Sequence, residues 1–355
     1  MYSRKLFLAV IIATISAGWF IGSSVADAQR TPPDPPTAAP KPTVSPTPED
    51  EVIKVDTDVV NVLFTAQDRN RRLLTDLKQA DIRLLEDGKQ QEIVEFTRQV
   101  DLPLSLAILI DTSGSQERTL PEEKAAAVSF LETVMRPAKD EVCVVSFTGD
   151  ATLEQGMTNN LNRLRNAVDK VRFVPPSGYI GGGVSTGTPP ISGDQTAGST
   201  AIWDAVWVTS DEILGPAPEK TRRAIILITD GQNNFGKKKL DDAVAAALRS
   251  EAIIYSVGIG DNYYYGVDKG TLNKISERTG GRAYFPRDER ELRNAFQQIQ
   301  EEMRSQYLIA YEPTNQTRDG AYRKIDIELA NKQLENDKVK VTHRQGYFAK
   351  TEKKK

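Results

Sequence analysis

Apolar and polar positions along the chain follow two patterns. Between about Pro103 and Gln306, near-continuous apolar runs recur at residues 104–110, 142–147, 224–229 and 253–259. Strands read this way when helices cover both faces of a parallel sheet. Amphipathic stretches separate the runs. Leu161, Leu164, Val168 and Val171 share one helical face, and Leu292, Phe296, Ile299 and Met303 do so in a helix expected over about 289–305. That spacing marks core-facing stripes. The expected class is α/β, a doubly wound, Rossmann-like domain with a mostly parallel central sheet.

Both ends of the chain carry strand patterns without helices between them. Val59, Val60, Val62 and Phe64 lie in one β-rich run, and residues 82–85 and 93–96 flank an Asp87-Gly88 turn. After the central region, residues 307–311, 322–329 and 339–341 read as strands, with Asp319-Gly320 as a second turn signal. Two-residue Asp-Gly turns between such runs favour hairpins. Neither end has enough strands to bury a core alone. A small β-sandwich formed from both ends, with the central domain inserted or flanked by it, is therefore expected. The boundaries that follow are 51–100 for the N-terminal β segment, 101–305 for the α/β domain, 306–349 for the C-terminal β segment and 350–355 for a basic tail.

Composition adds limits. The 355 residues include 46 basic and 49 acidic side chains for a net charge of −3, which excludes the concentrated basic face that nucleic acid requires,. Hydrophobic content of 39% and charged content of 27% fit a soluble globular chain,. Arg4 and Lys5 precede an apolar run, and Ala26-Asp27-Ala28 supplies a small-x-small cleavage pattern, so residues 1–28 are expected to be a signal peptide,. Export to a secreted or periplasmic location follows; an uncleaved N-terminal membrane anchor is the alternative. Residues 29–50 are Pro-rich and are expected to be an extended, disordered linker,. Cys143 is the only cysteine and sits in an apolar run, as a small buried hydrophobe would,.

Candidate chemistry gathers where strands end. The first central strand runs into Asp111-Thr112-Ser113-Gly114-Ser115, and a later one into Thr229-Asp230-Gly231. Between them, Thr200 lies near the start of a helix containing Ile202, Ala205 and Val206. In parallel α/β sheets ligands bind at the carboxyl ends of the strands. Asp111, Ser113, Ser115, Thr200 and Asp230 would thus present two carboxylates and three hydroxyls to one rim. An all-oxygen set suits Mg²⁺, Mn²⁺ or Ca²⁺ and argues against zinc. Two aspartates would neutralise a divalent ion and leave it receptive to one more anionic ligand, such as an Asp or Glu side chain of a protein partner.

These five residues, in this order, resemble the metal-ion-dependent adhesion site of von Willebrand factor A (VWA) domains, and the resemblance extends over the whole central domain. The flanks at 82–91 and 344–347 resemble those of the acidobacterial-type VWFA-related proteins. The resemblance implies metal-dependent protein binding without catalysis, and in some members a sliding last helix. That helix would here run directly into the strand at 307–311, coupling the metal rim to the sandwich. Tyr263, Tyr264 and Tyr265 follow a parallel strand and are candidate partner-binding anchors on the same rim,. The long Pro/Gly-rich stretch 175–198 before Thr200 is unusual.

Enzyme readings fit poorly. An aspartic protease needs Asp-Thr-Gly twice, and Ser113 interrupts the first copy while the second runs Thr229-Asp230-Gly231,. His343, the only histidine, lies in a terminal strand, and no Walker-type or dinucleotide-binding glycine pattern is present,. A metal-dependent hydrolase is the remote third reading. The nearer alternative is a structural or assembly component of a cell-envelope complex, with the metal bracing the loops.

Overall fold

The structure, a computed structural model, describes residues 58–99, 102–175, 179–180, 184–185, 199–218, 221–260 and 266–352. The expected leader at 1–28, the Pro-rich linker at 29–50 and Tyr263, Tyr264 and Tyr265 lie outside the described residues, as do most of 175–198 and the last three lysines.

In chain order the elements are β1 (Val60–Gln67), β2 (Ile82–Glu86), β3 (Lys89–Gln91), β4 (Ile93–Gln99), β5 (Leu104–Asp111), α1 (Leu120–Val134), β6 (Glu141–Phe147), β7 (Ala151–Thr158) and α2 (Leu161–Lys170). A two-residue ladder, β8 (Tyr179–Ile180) with β9 (Val184–Ser185), precedes α3 (Ile202–Val208) and β10 (Arg222–Thr229). Then come α4 (Leu240–Arg249), β11 (Ala252–Gly258), α5 (Lys269–Thr279), β12 (Ala283–Tyr284) and α6 (Glu289–Arg304). The chain ends with β13 (Gln306–Tyr311), β14 (Tyr322–Leu329), α7 (Lys332–Asn336), β15 (Lys340–His343) and β16 (Gly346–Phe348).

The central sheet has the order β12-β11-β10-β5-β6-β7. Every pairing in it is parallel except that of the edge strand β7, which runs antiparallel to β6. All eight residues of β5 are buried, because alternate side chains enter two separate cores. Leu106, Ile108 and Ile110 pack towards α1, α2 and α6. Ala107 and Leu109 pack towards α3, α4 and α5. This is the three-layer arrangement that continuous apolar runs demand. The edge strand β7 was not expected from sequence. Its residues are exposed or half-buried and carry no apolar run, so the signal was missing.

The two chain ends build the second region. One four-stranded antiparallel sheet has the order β15-β1-β13-β4 and the other β16-β14-β2-β3. N-terminal strands alternate with C-terminal ones in the first sheet, and β2 pairs with β14 in the second. Val62, Phe64, Leu84, Ile309, Tyr311, Ile325 and their neighbours form one apolar core between them. Phe64 stacks on Tyr307 at 5.1 Å between centroids, and the buried Glu86 accepts hydrogen bonds from Tyr311 Oη at 2.7 Å and Tyr347 Oη at 2.9 Å. The expected sandwich from both ends is present.

The last helix enters this region directly. Ser305 alone separates α6 from β13. Near its C-terminus the buried Glu302 accepts from Gln67 Nε2 of β1 at 3.0 Å and Tyr284 Oη at 2.8 Å, and pairs with Arg282. The lone histidine is built into the sandwich. His343 Nε2 accepts from the Ile327 N–H at 3.3 Å, which leaves Nδ1 to donate to the Arg344 carbonyl at 2.7 Å. Cys143 is buried and free.

Candidate metal centre

The strand order reverses between β5 and β10: from β5 the chain steps to β6 on one side, and later to β10 on the other. Ligands in doubly wound sheets sit outside the carboxyl ends of the strands at such a switch point. Asp111 ends β5, and Asp230 directly follows β10. The pairing Ile110↔Ile228 brings the two ends level.

Local chemistry fixes each side chain. Asp111 is fully buried; Oδ1 accepts from the Ser113 N–H at 2.9 Å and Oδ2 from Thr229 Oγ1 at 2.5 Å. A short 3-10 turn at Gly114–Gln116 then folds the loop back, placing Ser113 Oγ 3.3 Å from Ser115 Oγ. The Ser115 hydroxyl also favours the charged form of Asp230. Gln116, fully buried, holds this turn to the next strand end, reaching Ser115 Oγ at 3.4 Å and the Ile259 carbonyl at 3.3 Å through Nε2. On the Asp230 side, Oδ1 accepts from the Gln232 N–H at 2.9 Å. Gly231 has φ of +84°, and a Cβ there would lie 3.0 Å from Leu272 Cγ and 3.1 Å from the Asp268 carbonyl. Glycine is the residue that this tight reversal accepts.

Thr200 reaches the same rim by a third route. Its N–H donates to Asn234 Oδ1 at 2.7 Å, and its carbonyl accepts from the N–H groups of Asn234 and Phe235, both at 3.1 Å. Asn233 Oδ1 accepts from the Trp203 N–H at 3.3 Å. Thr148 ties the segment to the end of β6, its hydroxyl donating to the Ser199 carbonyl at 2.6 Å and its carbonyl accepting from the Ala201 N–H at 2.7 Å. Asp204, in the first turn of α3, makes no cap hydrogen bond for its own helix. Its carboxylate accepts from the N–H groups of Lys237 and Lys238, at 3.0 Å each, and so braces the loop after β10.

Two strand-end loops and the segment that enters α3 thus carry the five candidates. A hydrogen bond joins Asp111 to Ser113, Ser115 favours the charged form of Asp230, and Thr200 is tied to Asn234 and Phe235 in the loop that Asp230 opens. Among the described residues, no group of three or more His, Cys, Asp or Glu side chains gathers as a metal cage; hydroxyls complete this set.

The electrostatics are unbalanced. Burial, then the Asp230 charge, pushes Asp111 up to about 7, against hydrogen bonds from Thr229 and Ser113 that favour its charged form. Burial also raises Asp230. Glu123 in the first turns of α1 is fully buried with neither oxygen hydrogen-bonded, and burial raises it to about 8, with Asp111 and Asp230 adding to the shift. Among the described residues, no basic side chain forms an ion pair with any of the three, and none is a leading cause of their shifts. Buried like charges that lack a counter-ion favour protonation or a bound cation. Oxygen donors under that electrostatic demand fit a hard divalent ion.

Sequence reasoning missed Thr229, Gln116, Asn234 and Glu123. Thr229 carried a signal, since a threonine at a strand end faces the neighbouring Asp111. Glu123 carried none, because an acid in the first turn of a helix is normally a solvated partner of the helix dipole.

The central region matches known proteins at the level of the domain. The von Willebrand factor type A domain family matches residues 191–298, and a second description of the same domain matches residues 106–232. A UPF0353 protein of Mycobacterium avium is 25% identical over 238 residues, covering 58% of this chain and 64% of its own. A UPF0353 protein of Mycolicibacterium paratuberculosis is 23% identical over 235 residues, covering 58% and 63%. The chain therefore spans less than two thirds of the length of these curated relatives. Among solved structures, the proximal thread matrix protein 1 of mussel byssus is similar at 18% identity and a TM-score of 0.46, covering 62% of this chain and 51% of its own. A further structure of that protein, at 19% identity and a TM-score of 0.45 with 61% and 50% coverage, is described with zinc in its MIDAS motif. BatB from Bacteroides thetaiotaomicron follows at 18% identity and a TM-score of 0.43, covering 56% of this chain and 98% of its own.

Proposed function

We propose, for a chain whose central domain belongs to the von Willebrand factor type A family, that it is an exported recognition module binding a protein partner through a divalent cation. Asp111, Ser113, Ser115, Thr200 and Asp230 would hold the ion, with Mg²⁺, and then Mn²⁺ or Ca²⁺, as the expected occupant. When bound, the ion supplies an electrophilic position for one carboxylate of the partner's Asp or Glu. The chain's own residues do the rest. Asp111 and Asp230 offset its charge, the serine and threonine hydroxyls add neutral donors, and Thr229, Gln116 and Asn234 hold those groups in place.

One observation carries this reading: two buried carboxylates flank the switch point, and among the described residues no basic side chain pairs with either. A protein that had no use for a cation there would lose stability by keeping both acids. The same set argues for binding over catalysis. Its acids are engaged by Ser113, Thr229, Ser115 and Gln232, and His343 is committed to the sandwich backbone. Export rests on the N-terminal sequence pattern. Among the described residues, no helix is long and apolar enough to cross a membrane.

The test is capture of envelope proteins on the immobilised chain, in Mg²⁺ and in chelator, beside Asp111→Ala. Recognition predicts a partner retained only with Mg²⁺ and lost in a variant that still folds. Partner capture unchanged by chelator and by the substitution would reject the metal-dependent reading; a variant that loses its fold would assign the ion a bracing role instead.

A further inference from the structure

The opposite edge of the central sheet holds a second concentration of buried charge, of the other sign. There, where β10 and β11 begin, the α/β domain meets β1 and β13 of the sandwich around a cavity of about 340 Å³. Parallel strands of eight residues place this edge on the order of 25 Å from Asp230.

Three arginines line the cavity. Arg222 and Arg223 open β10, and Arg344 follows β15; they are 6%, 8% and 8% exposed. Their guanidinium groups are held mainly by carbonyls. Arg222 donates to the Met303 carbonyl and to the Leu102 carbonyl at 3.1 Å. Arg223 donates to the Ala217 carbonyl at 2.7 Å, and Arg344 to the Asn61 carbonyl at 2.6 Å. The Nε of each arginine is buried without a hydrogen-bond partner. Glu251 pairs with two of them, accepting a hydrogen bond from Arg344 Nη1 at 3.4 Å and lying 3.8 Å from Arg223 Nη1, with nearly half its side chain in solvent. Burial and the nearby Arg136 lower the pKa of Arg222.

Carbonyls satisfy N–H donors but do not neutralise charge, and burying an uncompensated cation is costly. Three buried guanidinium groups against two lining carboxylates, Glu95 and Glu251, leave the cavity one negative charge short. The remaining wall is mixed, with an apolar part that includes Leu63, Ile253 and Leu308 beside the polar Glu95, Thr221 and Thr279. A guanidinium fork matches a carboxylate in geometry, and an apolar wall rewards a hydrocarbon body over a strongly hydrated inorganic ion. The volume lies within the range of small-molecule pockets, roughly 300–1,000 Å³.

We propose that this cavity is a second ligand site, which takes a small organic carboxylate with a short apolar body. The site is independent of the metal rim, since none of its residues lies at the carboxyl end of a central-sheet strand.

The test is calorimetric titration of the full chain with octanoate, octanol and inorganic phosphate. It is done in chelator, so that no carboxylate binds through metal. Octanoate is expected to bind at least tenfold more tightly than either of the others. Leu308→Trp, which fills the cavity and leaves every arginine contact in place, should weaken octanoate tenfold or more; Arg344→Gln should do the same. Should Arg344→Gln fail to fold, Leu308→Trp decides. Octanoate no tighter than octanol, phosphate as tight as octanoate, or full affinity in Leu308→Trp would each overturn the proposal.

Discussion

Asp111 is fully buried beside the acidic Asp230, and its carboxyl is raised to about 7 chiefly by burial. A group whose folded pKa exceeds its unfolded value contributes stability below the unfolded pKa and loses it as pH rises through the folded one. Without metal, the chain should therefore lose stability from about pH 4 to pH 7 on account of Asp111, and on towards 8 on account of Glu123. His343 acts in the opposite sense. Burial lowers its pKa, so its contribution is present above about 6.5 and fades as pH falls,. A metal must displace the Asp111 proton below pH 7. Mg²⁺ affinity should accordingly rise up to about tenfold per unit between pH 5 and 7 and level off above. Titrations at three pH values check this, and a flat affinity would remove Asp111 from the linkage. Asp111→Asn keeps an acceptor for the Ser113 N–H and deletes the charge. In chelator at pH 8 it should match or exceed the parent in unfolding free energy, by up to about a few kcal/mol, while Mg²⁺ no longer raises its denaturant midpoint.

The last helix connects the two regions at the scale of elements. Its N-cap Asp288 accepts from the Glu291 N–H at 2.7 Å, beside a cavity of about 300 Å³ that Glu123 and Gly260 also line. Its other end is fixed by Glu302 to β1 and by a single residue to β13. An apolar stripe of Leu292, Phe296, Ile299 and Met303 lets such a helix shift against the sheet only by repacking that face,. Ligand occupancy at the metal rim should therefore alter hydrogen exchange through residues 292–311. Identical protection with and without a metal-bound carboxylate ligand would exclude the coupling. Asp288→Ala should cost about 1 kcal/mol, the ordinary loss of a helix cap, read from denaturant unfolding.

The sandwich makes the molecule indivisible at its largest scale. Its first sheet alternates β15, β1, β13 and β4, so neither chain end supplies two adjacent strands of it. A chain ending at residue 305 would leave Val62, Phe64 and Leu84 without Ile309, Tyr311 and Ile325. Such a truncation should expose residues 58–99 to rapid proteolysis and bind a hydrophobic dye, whereas the intact chain resists both. Equal resistance would mean that the N-terminal segment folds alone.

Sequence by itself determined what depends on local period and residue type. The apolar runs set the parallel strands, the 3.6-residue stripes set α2 and α6, and Asp111-x-Ser113-x-Ser115 with Thr200 and Asp230 stood out because strand ends gather ligands in this class of sheet. Even β14 was legible at its full extent, 322–329. Tertiary structure alone decided the features that are cheap locally and costly only once buried. Arg222 and Arg223 broke the apolar pattern, so the strand appeared to start at 224; carbonyls from Met303, Leu102 and Ala217 are what admit them to the interior. Glu123 resembled a solvated helix-start acid until the fold closed over it. The interleaving of the two chain ends was likewise invisible, because strand pairing joins residues more than two hundred positions apart and no local pattern records which partner lies across the ladder.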